Sequence, residues 1–451
     1  MNRSVPFIDA EAKTASILVQ QAKVLVDAGV RELCVVRDLP GRVRLVVPAA
    51  DEGLADAVEA ALEGFARDLS AVLGPRAYDP EQAILALPLQ AWRELCEHAR
   101  VEDVGPLPVH WVDRLVTGAE WTAVPVSARV PGDDSDAAPT RITLYSLKGG
   151  VGRSTTCALL ARHLGAQGRR VLVVDLDLES PGVSDLLLAP DDYPEFGIVD
   201  WFVEDAVGQG DDVLSRLTGQ PRWAQDLRGE VLVVPAHGRD AREYVAKLGR
   251  VYLDRPAGPG AVPAEPWSRR LLRMFSCLEE QVRPDVVLID ARSGLHDLAA
   301  TAVTLLGAQV LAFAVDSPAT WRAFRFLFEH WVRHGMAERV RNRLTTVAAM
   351  VPETDSDRYI AVFREAAWNV YRDTLYDEVP AVDDESDPPD VFSFDLTDQE
   401  APHAPWPVLW NRGLAAGRPI REVADDVLAG SYRAFLERFD PFYDRLLRVE
   451  R

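Results

Sequence analysis

The sequence predicts an α/β protein: a doubly wound, mostly parallel sheet preceded by a smaller N-terminal α+β domain. Three observations predict it. Seven short runs (142–147, 171–175, 231–235, 285–290, 309–315, 344–350 and 406–410), many of them continuously apolar, alternate with helix-like segments. That is the rhythm of strands covered on both faces by crossover helices. The first run leads straight into a glycine-rich turn and then a helix start. Just before it, VPGDDSDAAPTR mixes Pro, Gly, Asp and Ser without an apolar period, which marks a linker. The chain therefore divides into 1–129, a linker at 130–141, and 142–451.

In chain order, residues 9–28 place Ile17, Leu18, Ala22, Leu25 and Val26 at helical spacing. RELCVVRD and RVRLVVPA flank Pro40-Gly41 and read as a β-hairpin. Residues 52–73 form a second amphipathic helix, with Leu54, Val58, Leu62, Phe65 and Leu69 on one face. Trp92, Trp111 and Trp121 read as packing residues in the second half of this domain, and His98 and His110 stand isolated. No catalytic constellation is visible before residue 130. Residues 377–400 are acidic and proline-bearing, without Lys or Arg, and read as a solvated loop.

Composition narrows the function. A chain of 451 residues has room for two or three domains. No apolar run reaches the length that spans a bilayer, and MNRSVPFIDAEAKTAS lacks the apolar stretch of a signal peptide, so the expected location is the cytoplasm. Cys34, Cys96, Cys157 and Cys277 are scattered singly, which disfavours disulfide or metal frameworks. A formal charge of −21 opposes nonspecific DNA binding, though it leaves room for a local basic patch. Lysines are confined to Lys13, Lys23, Lys148 and Lys247. One of the four sits in the glycine turn, where a compact ammonium suits an anion.

That turn carries the chemistry. In ITLYSLKGGVGRSTT, residues 142–156, a strand runs into Lys148, Gly149, Gly150, Val151 and Gly152, and a helix begins at Arg153. The glycines let the backbone curl around an anion. The N–H groups of the turn and of the helix start converge on that anion. Lys148 and Arg153 add charge, Ser154 is spaced to place a hydroxyl on Mg²⁺, and Thr155 can reach an α-phosphate. The general phosphate-loop pattern is broken twice: Leu147 stands where a first Gly is expected, and Arg153 where a Lys is expected. Two more strands end in carboxylates. VLVVDLDLESPG, 171–182, presents Asp175 and Asp177; PDVVLIDARSG, 284–294, presents Asp290 and, four residues on, Gly294.

The surviving spelling, KGG-x-G-basic-ST, together with the two carboxylate strands, resembles the deviant Walker A loop of the ParA/MinD family of P-loop ATPases. KGGVGR looks like a variant subgroup of that family. The resemblance implies ATP and Mg²⁺ as ligands. It implies a metal shell of Ser154, Asp175 and Asp290, with Asp177 orienting the attacking water. Gly149, Gly150, Val151, Gly152, Arg153, Ser154, Thr155 and Gly294 would contact nucleotide, with Gly294 N–H meeting the γ-phosphate. Lys148 would be the signature lysine that reaches a second subunit's nucleotide, so that ATP favours a homodimer and hydrolysis releases it. Pro181-Gly182 would open a mobile stretch similar to switch I. Arg292 could touch phosphate, touch a partner subunit or lie on the surface. The cargo stays open, and an unknown protein partner is expected through the N-terminal domain.

Two other readings stand beside this ATPase. Arg153 could mark a catalytically silent nucleotide sensor or scaffold, because a planar fork does not follow a phosphate as a point ammonium does. Bacterial tyrosine kinases have a related loop, but they end in a tyrosine cluster and this tail offers only Tyr432 and Tyr443. Family members often end in an amphipathic membrane helix. Here the stripe Phe435, Phe439, Leu446, Leu447 is interrupted by Pro441 and mixed with acids, so packing against the sheet is expected instead.

Overall fold

The computed structural model describes residues 5–49, 53–97, 99–124, 139–255, 264–378, 391–414 and 418–449. The linker residues 130–138, His98 and residues 379–390 of the acidic stretch lie outside them. The chain forms two compact units, 1–117 and 118–451.

The first unit is a five-stranded mixed sheet. Its strands are β1 (Leu33–Arg37), β2 (Val43–Ala49), β3 (Ile84–Pro88), β4 (Arg100–Val104) and β5 (Leu107–Asp113), in the order β3-β2-β1-β5-β4. β1 and β2 pair antiparallel, as the hairpin reading expects. The helices Phe7–Ala28 and Asp56–Leu73 cover one face, burying Leu18, Leu25, Leu62, Phe65 and Leu69 against Leu33, Leu45 and Val109. The second helix starts four residues later than its apolar period suggests. Trp92, from the helix Leu89–Cys96, packs with Cys34, Val36 and Val46 and stands edge-on to His110. Trp121 belongs elsewhere. It packs in the second unit against Tyr145 and Trp331.

The second unit is built on seven parallel strands. They are β6 (Thr140–Ser146), β7 (Arg170–Leu176), β8 (Glu230–Val234), β9 (Val286–Ala291), β10 (Gln309–Ala314), β11 (Leu344–Val351) and β12 (Trp406–Leu409), ordered β12-β11-β10-β6-β9-β7-β8. Each observed strand lies within a residue or two of its apolar run. Order reverses around β6, where a doubly wound sheet opens a crevice for ligand. One face carries the helices Arg153–Ala166 and Asp425–Val449; another apolar cluster joins the sheet to Trp267–Val282, and a third to Pro318–Arg333 and Ser356–Arg372.

The C-terminal helix corrects one expectation. Residues Asp425–Val449 run as one helix through Pro441. Phe435, Phe439 and Tyr443 are buried on one stripe and stack on each other. They hold both halves of the helix to the sheet, which offsets the proline's missing N–H, a cost of about 3 kcal/mol. The tail thus packs as a core element. Tyr432 and Tyr443 are each 1% exposed. Among the described residues no helix is long and apolar enough to cross a membrane. The acidic stretch also packs at its described ends: Asp377 pairs with Arg341 at 2.5 Å, and Phe392 and Phe394 join the aromatic core around Tyr376.

Candidate nucleotide site

Three strand ends build the site. β6 delivers the glycine loop, β7 ends in Asp175 and Leu176, and β9 ends in Asp290 and Ala291. In the β7–β9 ladder Asp175 lies directly opposite Asp290, and in the β6–β9 ladder Asp290 lies opposite Leu144. Both carboxylates are therefore carried to one spot by register alone, beneath the loop.

The loop curls through Gly150 at φ 74° and Gly152 at φ 85°, conformations that a side chain would strain. Gly152 caps the helix Arg153–Ala166. Ser146 Oγ donates to the Lys148 carbonyl at 2.9 Å and ties the loop's start to the strand. Val151 is buried, while Lys148, Gly149 and Gly150 are exposed at the rim. Lys148 Nζ reaches sideways to Ser317 Oγ, 3.4 Å away at the N-cap of the helix Pro318–Arg333. Ser154 and Thr155 are half-buried. A Cβ on Gly182 would lie 3.6 Å from Ser154 Oγ, so the segment after β7 borders that hydroxyl.

Arg153 does not extend along the loop. It is 6% exposed and turns under the loop toward the carboxylates. Its Nε donates to Asp290 Oδ1 at 2.7 Å, its Nη2 to Asp177 Oδ2 at 2.9 Å, and its Nη1 to Ser146 Oγ at 3.1 Å. Burial works against the guanidinium's charge, but Asp290 and Asp177 raise its pKa on balance. Asp175 is fully buried and accepts from Ser184 Oγ at 2.7 Å and from the Asp177 N–H at 3.3 Å. Burial, with the neighbouring Asp290, pushes its carboxyl up to about 7 despite the Ser184 bonds. Burial also raises Asp177, with Arg153 opposing.

Gly294, at φ 89°, turns the loop after β9. Its N–H donates to the Ser146 carbonyl at 2.9 Å, and its own carbonyl accepts from Tyr145 OH at 3.0 Å. In this arrangement the N–H faces β6 backbone, not the loop's open side. Arg292 settles on Glu179, which also accepts from Tyr252 OH at 2.6 Å. That contact joins the segment after β7 to the segment after β9. It was invisible in sequence, because nothing in the motif around Asp175 marks Glu179 as an arginine acceptor and Tyr252 belongs to no motif. His296 caps the helix Asp297–Val303, accepting from the Leu298 N–H at 3.3 Å.

The donor chemistry suits a hard cation. Asp290 Oδ2 is buried and has no hydrogen-bond partner among the described residues. Such an orphaned carboxylate oxygen, with the Ser154 hydroxyl on the adjoining helix, fits Mg²⁺ when phosphates complete the shell. Among the described residues no group of three or more His, Cys, Asp or Glu could hold a metal unaided. A cavity of about 390 Å³ lies elsewhere, between Arg341, Trp406, Phe392 and Phe442. None of the loop residues or carboxylates lines it.

Residues 142–371 match the CobQ/CobB/MinD/ParA nucleotide binding domain. Among solved structures, the chain is similar to pNOB8 ParA bound to nonspecific DNA, at 15% identity over 69% of this chain and 100% of that one, TM-score 0.42. It is also similar to a putative plasmid partition protein of Borrelia burgdorferi B31 bound to AMPPNP, at 15% identity over 67% and 98%, TM-score 0.39. A third is a ParA family ATPase of Chlorobium tepidum TLS, at 12% identity over 55% and 87%, TM-score 0.35. No curated protein matches the chain.

Proposed function

The chain belongs to the CobQ/CobB/MinD/ParA nucleotide-binding family, and from that premise we propose that it binds ATP in the loop 148–155 and hydrolyses it slowly. The observation that supports this most is the shared register of Asp175 and Asp290 beneath a loop whose glycines adopt positive φ. Gly149 to Thr155 would hold the phosphates through backbone N–H groups and the Ser-Thr pair. Ser154 and Asp290, with Asp175 behind them, would hold magnesium, which when bound neutralises phosphate charge. Asp177 would orient the attacking water once Arg153 releases it. Gly294 would meet the γ-phosphate after leaving Ser146. Lys148, exposed at the rim, would leave Ser317 to reach a second copy's nucleotide, so the protein would act as an ATP-dependent dimerisation switch. The first unit would recruit a protein partner. Cytoplasmic residence goes with this reading, and the charge of −21 argues against DNA as the main ligand.

The test compares ATP affinity and turnover for wild type, Lys148→Ala, Asp177→Ala and Arg153→Lys. Absence of nucleotide binding to wild type at millimolar ATP would end the proposal.

One observation favours a silent nucleotide sensor as the second reading. Arg153 holds Asp177 and Asp290 together, and hydrolysis needs both free. Binding without turnover in wild type would select that reading.

A further inference from the structure

Arg153 makes bonds at three places in the site: to Asp290 on β9, to Asp177 beyond β7 and to Ser146 on β6. Each uses a different nitrogen, and the guanidinium is almost wholly out of water. A lysine could not reproduce this. Its ammonium is a compact point with three donors, whereas the guanidinium's planar fork spans separated acceptors. The departure from the usual loop spelling thus has a specific geometric result: the chain's own cation lies between the two carboxylates that flank the phosphate site.

We propose that Arg153 supplies from within the chain part of the positive charge that a divalent metal otherwise brings to Asp290, and offsets Asp177 beside it, so that the glycine loop binds a nucleoside triphosphate without requiring a divalent metal. This rests on the nucleotide-binding reading above and adds to it the metal dependence of that site. Two physical reasons carry it. Buried carboxylates repel an incoming polyphosphate unless a cation compensates them. Arg153 already offsets one of the two charges on Asp290 and Asp177, so the loop's N–H donors and Lys148 face a less acidic site. Conversely, Asp290 Oδ2 is the oxygen left for a metal. A dication there would share one carboxylate with the guanidinium on Oδ1 and repel it at close range. Arg153 and a metal therefore compete for Asp290, and a metal-loaded state requires Arg153 to let go.

The experiment titrates the full-length protein with a fluorescent N-methylanthraniloyl ATP analogue, once with excess magnesium chloride and once with excess EDTA. Wild-type Kd should differ by less than about threefold between the two buffers, whereas Arg153→Lys should bind about tenfold or more weakly in EDTA than in magnesium. Circular dichroism of the variant checks its fold, and the wild-type arm decides the question without it. A wild-type Kd about tenfold or more weaker in EDTA overturns the proposal, because Arg153 then gives way to metal as an ordinary loop cation would. No binding in either buffer overturns the nucleotide reading itself, and this inference with it.

Discussion

Arg153 Nε lies 2.7 Å from Asp290 Oδ1, and the two side chains are 6% and 0% exposed. The pair is a charged contact inside the unit, not a surface bridge. The guanidinium offsets the charge of a carboxylate that burial has taken out of water.

The pair should contribute to the stability of the nucleotide-free protein. Arg153→Ala leaves Asp290 and Asp177 buried without their cation, a change that costs about 3–5 kcal/mol. Thermal unfolding followed by circular dichroism should show a clear fall in Tm, and adding Asp290→Asn should recover part of it. A single variant as stable as wild type would mean that the contact carries no weight.

Asp177→Ala separates binding from turnover. Asp177 is assigned to the water, not to the phosphates, so nucleotide affinity should stay within about threefold of wild type, while any ATP hydrolysis falls about a hundredfold or more. Phosphate release under saturating ATP is the measurement. Loss of affinity with unchanged turnover would reverse the assignment.

Glu179 and Arg292 join the segments after β7 and β9. Their side chains remain 22% and 29% exposed, so Glu179→Gln should change global stability by less than about 1 kcal/mol. Its effect should instead be local. Hydrogen–deuterium exchange across 177–183 should speed up, and the same segment should slow when ATP is added to wild type. Unchanged exchange in the variant would remove the proposed coupling between the segments.

Phe439 is fully buried between Phe435 and Tyr443 on the C-terminal helix. Phe439→Ala should destabilise the second unit by about 3–5 kcal/mol, as expected for a large buried aromatic. The wild-type protein should stay at the bottom of a gradient with anionic vesicles. Flotation of wild type with the vesicles would restore a membrane role to this helix.

The second unit's sheet was legible because parallel strands buried on both faces must be apolar along their whole length. Val171–Val174 and Val286–Ile289 show this at 0% exposure. The three later strands of the first unit were not legible. Ile84–Pro88 and Arg100–Val104 form the sheet's two edges and are mostly half-exposed or exposed, so neither shows a clean alternation. That Asp175 and Asp290 would meet was readable from the motifs, since each closes an apolar run. The direction of Arg153 was not: nothing local distinguishes an arginine that follows a phosphate from one that turns inward. Pro441 misled for a related reason. The proline's local penalty is readable in sequence, but the aromatic stripe that outweighs it acts through the sheet.

Tyr432 OH lies 3.2 Å from Thr156 Oγ1, so the helix that opens at the glycine loop rests on the helix Asp425–Val449. The loop comes early in the unit and its brace follows more than 250 residues later, from Asp425. During synthesis, a ribosome would release the loop and both acidic strand ends long before the surface that backs them. Truncation just before Asp425 should therefore yield insoluble or degraded product.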